Sequence, residues 1–385
     1  MQPCHAELLI KKYSRQFRAL AIVGPRLSGK TAVVKKVFSK KPYVSLEDPD
    51  ERMLATIDPR AFLNRYKKGA VIDEAQRAPA LFSYMQGILD TVKTDGFYIL
   101  TGSNNFLLQQ SISQSLAGRI GYIDLLPLCY REILQFGQIN YTTSELIRNG
   151  GYPEIYDKKR HPGIWYPSYI CTYIERDLKL LRNIGNTILF NRFLQLCAGR
   201  VGQQLNIAAL SIESEVDVKT SQSWLGILQS SYIIMLLPPH FKNYNKRVVK
   251  TPKLYFLDTG LACSLLGIRK DAELQNSHFR GPLFENFVLL EILKQKHNTG
   301  SQALLYYWKE NNGLEIDLLI DTGKKIIPVE IKAAQTFNDF YFKNIFHWNK
   351  ISDNKGGIVV YDGENNSTLS GNYLTTKWKD LQLKF

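Results

Sequence analysis

The sequence predicts an α/β protein: a parallel sheet covered by helices at the front of the chain, a helical middle, and a second, smaller α/β unit at the end. Three observations predict it. Short apolar runs alternate with helical patterns through residues 1–135, which is the pattern of a parallel sheet wrapped on both faces. The run Ala19-Leu20-Ala21-Ile22-Val23 feeds a glycine-bounded turn that opens a helix. Beyond residue 276 a helix precedes three strand-like runs that carry two carboxylates and a lysine.

In order, the first domain offers strands at Arg18–Gly24, Pro42–Glu47, Ala70–Asp73, Phe97–Thr101 and Ile120–Leu126. Gly24-Pro25-Arg26-Leu27-Ser28-Gly29-Lys30-Thr31 completes the pattern G-x-x-x-x-G-K-[ST] directly after the first strand. Gly24 and Gly29 let backbone N–H groups approach phosphate oxygens, and the helix opening near Lys30 turns its positive end toward them. Lys30 is then a ligand of the β- and γ-phosphates of ATP and Thr31 a ligand of Mg²⁺, with Pro25, Arg26, Leu27 and Ser28 completing the loop. A chance glycine turn accounts for the glycines, but not for the lysine, the threonine and the strand around them.

The third strand ends Ala70-Val71-Ile72-Asp73-Glu74, apolar or small positions followed by two acids. In this Walker B pattern Asp73 holds Mg²⁺ through water and Glu74 polarises the attacking water as general base. A buried strand ending in solvated acids is the plain alternative, and the weaker one so close behind a phosphate loop. The fourth strand ends Thr101-Gly102-Ser103-Asn104, which makes Ser103 or Asn104 a candidate γ-phosphate or water sensor; a Gly-Ser-Asn turn would look the same. An extra strand between the Walker A and Walker B strands fits P-loop ATPases of the AAA+/ASCE kind, which use a catalytic glutamate, better than small GTPases. Arg119 is a candidate for stabilising charge on the transferring phosphate, in its own subunit or across an interface, with Arg26 and Arg77 as alternatives.

The middle, residues 136–275, reads as mainly helical and is broken near its front by Gly150-Gly151-Tyr152-Pro153. Asn206–Val216 and Thr220–Ile234 form a helix-turn-helix pattern in which Thr220 or Ser221 would cap the second helix, and Lys250–Phe256 supplies a strand after it. A winged helix read this way puts Lys219, Ser221, Gln222 and Ser223 on a groove of DNA, and Lys242, Lys246, Arg247 and Lys250 near phosphates. Helix pairs of this appearance also serve as spacers or dimer contacts.

The last domain, residues 276–385, opens with a helix, Leu283–Lys296, that carries Glu285, and continues with strands Ala303–Lys309, Leu314–Asp321 and Lys325–Lys332. Strand residues two apart share a face, so Glu330 and Lys332 point the same way, toward Asp317 on a neighbouring strand. Asp317, Glu330 and Lys332 make a divalent-metal site with a lysine to orient or deprotonate water, the chemistry of phosphodiester cleavage, and Glu285 is a further metal ligand. An ion-paired strand edge is the bland reading. The apolar run Ile326, Ile327, Val329 and Ile331 argues against it, because charge at the end of a buried strand calls for a partner or a metal.

Composition agrees with a multidomain globular protein: 385 residues, 44% apolar and 22% charged. Forty-nine Lys and Arg against 35 Asp and Glu give +14, which favours polyanionic partners, nucleic acid or nucleotide. The five cysteines lack C-x-x-C spacing, which argues against a disulfide framework or zinc site and for the reducing cytoplasm. No stretch approaches ~18 consecutive apolar residues and no signal-peptide core opens the chain, so no membrane span or export signal is expected.

Together these residues resemble a large prokaryotic family of AAA-type ATP-binding proteins that join an N-terminal P-loop ATPase to a C-terminal domain of PD-(D/E)XK restriction-endonuclease-like fold. The resemblance spans essentially the whole chain. Its further carriers are Ile72 to Arg77, Ser115-Leu116-Ala117-Gly118-Arg119, Gly151-Tyr152-Pro153, Tyr173-Ile174-Glu175-Arg176-Asp177, Leu257-Asp258-Thr259-Gly260-Leu261 and Gly281-Pro282-Leu283-Phe284-Glu285. Leu27 departs from the polar residue often found there. The resemblance implies ATP binding, a winged-helix middle and a nuclease-like end, and it does not imply cleavage by every member. The expectation is an ATP- and Mg²⁺-dependent enzyme acting on DNA. Its rivals are an ATP-dependent regulatory switch that binds DNA or a protein partner through an inactive nuclease-like domain, and an ATPase machine acting on protein. The sequence leaves a homo-oligomer open.

Overall fold

The computed structural model describes residues 5–103, 115–137, 140–177, 186–240, 251–311, 313–364, 367–369 and 372–383. The chain falls into two compact units: Met1–Phe136 with Ser230–Tyr232 and His297–Gly300, and Gly137–Gln229 with Ile233–Lys296 and Ser301–Phe385.

The first unit is built on β1 (Ala19–Val23), β2 (Tyr43–Ser45), β3 (Ala70–Asp73), β4 (Tyr98–Gly102) and β5 (Ile120–Asp124). They form a five-stranded sheet in the order β2-β3-β4-β1-β5, and every pairing is parallel. The five strands expected from the apolar runs are the five observed. β1, β3 and β4 are buried along their whole length, as strands covered by helices on both faces must be, whereas the edge strand β5 alternates. Leu20, Ile22, Val71, Ile99 and Ile123 pack one face of the sheet against Val33 and Val34 of the helix Lys30–Val37 and Ala6, Leu9 and Ile10 of the first helix. Parallel order brings the carboxyl ends of β1, β3 and β4 to one edge. In open α/β sheets that edge is where ligands bind.

In the second unit, helices Thr187–Ala198, Ile207–Ser214 and Val218–Ser230 precede an antiparallel pair, β6 (Ile234–Leu237) and β7 (Lys253–Phe256). The last helix starts earlier than expected. Asp217, and not Thr220 or Ser221, caps it: its Oδ1 accepts from Thr220 N at 2.9 Å and its Oδ2 from Thr220 Oγ1 at 2.6 Å. The helix Pro162–Tyr169 passes into a π-helical stretch, Ile170–Asp177.

The rest of this unit is the helix Arg280–Thr299 and a six-stranded sheet of β8 (Leu304–Lys309), β9 (Glu315–Asp321), β10 (Ile326–Lys332), β11 (Gly357–Tyr361), β12 (Ser367–Leu369) and β13 (Tyr373–Lys377). Its order is β12-β13-β11-β10-β9-β8, antiparallel from β8 to β10 and parallel between β10 and β11. The helix Lys343–Ser352 crosses between β10 and β11, and its Ile345 and Trp348 pack on Trp308, Ile316, Leu319 and Val359. Two motifs of the middle segment meet at one buried acid. Asp258 accepts from Gly151 N at 2.7 Å, Tyr166 OH at 2.6 Å and Leu261 N at 2.9 Å. Gly150 takes φ 65°, and a Cβ there would lie 2.1 Å from the Tyr166 hydroxyl. The Gly-Tyr-Pro and Asp-Thr-Gly-Leu segments are thus tied to each other. No described helix is long and apolar enough to cross a membrane.

Candidate functional site

The strand tips of the first unit gather the sequence-predicted residues. Gly24 has φ 151°, and a Cβ on it would lie 2.1 Å from the Leu125 carbonyl oxygen, so only glycine lets the loop leave β1 against the chain that follows β5. Gly29 (φ 94°) turns the chain into the helix that starts at Lys30. Leu27 sits between them in the left-handed region (φ 63°), a conformation that costs a non-glycine residue roughly 1–2 kcal/mol.

Lys30 is buried and folds back on its own loop, its Nζ donating to Pro25 O at 2.7 Å and Gly24 O at 3.0 Å. Burial lowers its pKa from 10.5 to about 8, against the raising influence of Glu74 and Asp73. The Ser28 hydroxyl is buried in the same loop and makes no hydrogen bond. A buried ammonium satisfied only by carbonyls, beside an unpartnered hydroxyl donor, is a cradle suited to an anion.

At the end of β3, Asp73 is held by three hydroxyls. Thr31 Oγ1 donates to its Oδ2 at 2.9 Å, Tyr43 OH to the same oxygen at 2.6 Å, and Thr101 Oγ1 to its Oδ1. Thr31 and Asp73 present adjacent oxygen donors and no nitrogen or sulfur, the donor set of a hard divalent cation such as Mg²⁺. Glu74 follows with φ 54°, so the chain leaves the strand at once and its carboxylate swings to the tip of β4. There its Oε2 accepts from Gln76 Nε2 at 2.5 Å and from Ser103 Oγ at 3.0 Å. Tyr43, Thr101 and Gln76 were not foreseen as site residues. The position of each at or just beyond a strand end that faces the loop was the available signal.

Arg119 corrects the sequence reading. Ile120 pairs with Ala19 at the amino end of β1, so Arg119 lies at the edge away from the phosphate loop by the length of β1, roughly 16 Å. Its guanidinium is bound to Asp90, with Nε to Oδ1 at 2.5 Å and Nη2 to Oδ2 at 3.1 Å. It does not reach its own subunit's loop. Arg26 and Arg77 lie on the loop side, both within ion-pair range of Glu47 Oε1 at 3.7 and 3.5 Å. Asn104 lies outside the described residues.

In the second unit Ser221 also departs from expectation. It is buried and accepts from Ser211 Oγ at 2.8 Å, because Ser221, Trp224, Leu225 and Leu228 form the inward stripe of their helix. Lys219, Gln222 and Ser223 are exposed; Lys242, Lys246, Arg247 and Lys250 lie outside the described residues.

Asp317, Glu330 and Lys332 come together as expected. Lys332 Nζ lies 2.5 Å from Glu330 Oε2 and 3.3 Å from Asp317 Oδ2, and Asp317 Oδ2 also accepts from Ile331 N at 2.8 Å. Burial opposes the charge of Asp317, but the ammonium groups of Lys332 and Lys253 hold its carboxyl below the usual range. Burial and the charge of Asp317 push the Glu330 carboxyl well up.

Glu285 is the correction here. Among the described residues it does not join these two acids within ligand distance; the one group of three that does is His5, Cys129 and Glu132, in the first unit. Glu132 serves there as a helix-capping acid, with its oxygens on His5 N and Cys129 N. Glu285 Oε1 is instead engaged by Lys253 Nζ at 3.0 Å and by Tyr255 OH. Lys253, from β7, was not foreseen.

Comparison with known proteins agrees with the first unit. Residues 16–134 match the model of an AAA domain, residues 140–272 a domain of unknown function (DUF8612), and residues 280–380 another (DUF4143). The chain is 30% identical over 320 residues to the uncharacterized protein Rv2008c of Mycobacterium tuberculosis, covering 82% of this chain and 70% of that protein. It is 25% identical to the uncharacterized protein MJ1544 of Methanocaldococcus jannaschii, over 82% of this chain and 75% of the relative. Among solved structures, the Walker-type ATPase paby2304 of Pyrococcus abyssi aligns with a TM-score of 0.48 at 14% identity, over 68% of this chain and 94% of that one. With its AAA domain over residues 16–134 and this degree of identity, the chain is an AAA-type P-loop protein that belongs to the same family as the uncharacterized protein Rv2008c of Mycobacterium tuberculosis.

Proposed function

We propose that the chain is a Mg²⁺-dependent ATPase whose nucleotide cycle governs a DNA-binding, nuclease-like end, with residues 1–135, 136–275 and 276–385 as its working segments. The observation that carries the ATPase reading is the convergence of Thr31, Asp73, Glu74 and Ser103 at one sheet edge beside the buried Lys30. Lys30 would leave its loop carbonyls for the β- and γ-phosphate oxygens, and Ser28 and the loop N–H groups would take the remaining oxygens. Thr31 and Asp73 would hold Mg²⁺, which supplies charge neutralisation across those oxygens. Glu74, steered by Ser103 and Gln76, would orient and deprotonate the attacking water.

For the C-terminal cluster, the two carboxylates Asp317 and Glu330 offer oxygen donors to a second divalent cation, with Lys332 placed to orient water for attack on a phosphodiester. Net charge of +14 and exposed Lys219 and Gln222 on a helix before the β6–β7 pair support DNA as the polyanion. A second reading, a switch that binds DNA or a protein without cutting, has its own support: both acids of the cluster are already ion-paired by Lys332.

The test is ATP hydrolysis with Mg²⁺, with and without DNA, in the wild type and in Glu74→Gln. The proposal expects turnover that DNA stimulates and the substitution abolishes. Turnover equal in the two proteins removes Glu74 from the mechanism, and turnover indifferent to DNA moves the assignment to a protein partner.

A further inference from the structure

Lys253 is a buried cation for which neither the ATPase nor the phosphodiester chemistry has a use. It is 3% exposed, on the strand β7 that follows the three helices of the middle segment. Its Nζ meets Glu285 Oε1 at 3.0 Å and Glu315 Oε1, so one ammonium ties β7 to the helix Arg280–Thr299 and to the start of β9. Tyr255, two residues on and therefore on the same face of β7, donates to the same Glu285 oxygen. Glu315 has a second cation in Lys309, at 2.7 Å. Glu285 Oε1 takes both of its contacts, the Lys253 ammonium and the Tyr255 hydroxyl, from β7.

The neighbouring acids show what this arrangement withholds. Asp317 lies on β9 two residues beyond Glu315, on the same face, and pairs with Lys332 together with Glu330. An octahedral or larger oxygen shell draws on several carboxylates, and two acids already paired with a lysine make a poor one. Glu285, half-buried and within the influence of the Asp317 charge, is turned to Lys253 instead.

We infer that Lys253 is the resident counter-cation of this cluster, a positioning residue that keeps Glu285 on β7 and so sets how tightly a divalent cation is held. A dication and the Lys253 ammonium compete for the same carboxylate charge. Metal binding then requires Glu285 to be released from β7, which places occupancy of the cluster under the control of the β6–β7 pair. This inference rests on the divalent-cation reading of Asp317 and Glu330 given above.

The experiment is Mn²⁺ titration of the full-length protein by calorimetry, with the thermal midpoint recorded with and without Mn²⁺, for wild type, Lys253→Met, Lys253→Arg, the double variant Lys253→Met/Glu285→Gln, and Asp317→Asn. Lys253→Met is expected to bind Mn²⁺ on the order of tenfold more tightly than wild type and to gain the larger Mn²⁺-induced rise in melting temperature. Lys253→Arg, which keeps the charge, should behave as wild type, and the double variant should lose the gain because the released ligand is gone. If Lys253→Met lacks a cooperative melt without metal, Mn²⁺ should restore one. Equal Mn²⁺ affinity in wild type and Lys253→Met, or no restoration of the melt, overturns the inference; loss of binding in Asp317→Asn alongside would leave the metal reading standing. Mn²⁺ binding by none of the folded proteins overturns the metal reading itself, and the inference with it.

Discussion

The pH dependence of ATP affinity follows from the position of Lys30. Its pKa of about 8 in the protein alone results from burial, which outweighs the raising influence of Glu74 and Asp73. Phosphate oxygens would favour the ammonium and lift that pKa back toward or above 10.5. Binding above pH 8 therefore requires proton uptake. At pH 9, about one molecule in eleven carries the charged lysine before binding, so affinity falls about tenfold from pH 7 to pH 9, a loss of ~1.4 kcal/mol. Stability of the unliganded protein moves the other way. With the folded pKa below 10.5, the unfolded chain binds more protons between pH 8 and 10.5, so this contribution to stability rises with pH across that window and the cost, about 3 kcal/mol, is complete below pH 8. The assay is calorimetric titration of Mg²⁺-ATP at half-unit steps from pH 7 to 9.5, with Lys30→Met as the reference. Wild type should show a falling limb and Lys30→Met weak, flat binding. A flat wild-type profile refutes the assignment of Lys30 to the phosphates or the buried state deduced for it.

Further outcomes are expected from single substitutions. Glu74→Gln should lower ATP turnover by about 10²–10⁴-fold with nucleotide affinity retained, read by steady-state hydrolysis and titration. Arg119→Ala should leave turnover unchanged in dilute protein, since the guanidinium is held by Asp90 at the far edge of the sheet; a fall that appears only as concentration rises would assign it to a neighbouring subunit. Ser221→Ala should cost about 1 kcal/mol in denaturant unfolding without altering retention on DNA, whereas Lys219→Glu should weaken retention and reduce its salt dependence. Gly24→Ala should abolish nucleotide-induced stabilisation, because its Cβ would collide with Leu125 O.

The parts of the fold set by local pattern were legible. The central strands of the first unit open on short apolar runs, and the phosphate loop and the two acids at the end of β3 are contiguous motifs whose partners lie at strand ends. Arg119 was misplaced although the signal existed: in a parallel strand, a residue just before the run sits at the amino edge, opposite a loop that follows a strand. Ser221 was misplaced for a similar reason, since the spacing of Ser221, Trp224, Leu225 and Leu228 already marks an inward stripe. Lys253 was not legible. Its burial depends on Glu285 and Glu315 arriving from a distant helix and strand, and nothing in a lysine between a proline and a leucine announces two acidic partners.

Lys30 and Lys253, two of the buried lysines among the described residues, differ in a way that specifies their ligands. Lys30 touches carbonyls and no carboxylate, and its charge is disfavoured; Lys253 touches two carboxylates, and burial notwithstanding its charge is strongly favoured. The first site is short of negative charge and is completed by an anion. The carboxylate cluster holds Glu285, Glu315, Asp317 and Glu330 against Lys253, Lys309 and Lys332, and under the proposed reading would be completed by a cation. Two separate ligand responses follow. ATP without divalent metal should raise the melting temperature of wild type through Lys30 and not that of Lys30→Met. Mn²⁺ without nucleotide should stabilise wild type and Lys30→Met alike, and lose that effect in Asp317→Asn. If Asp317→Asn instead keeps the Mn²⁺ response, the divalent site is the one at Thr31 and Asp73, and Asp317, Glu330 and Lys332 form a structural ion-pair cluster.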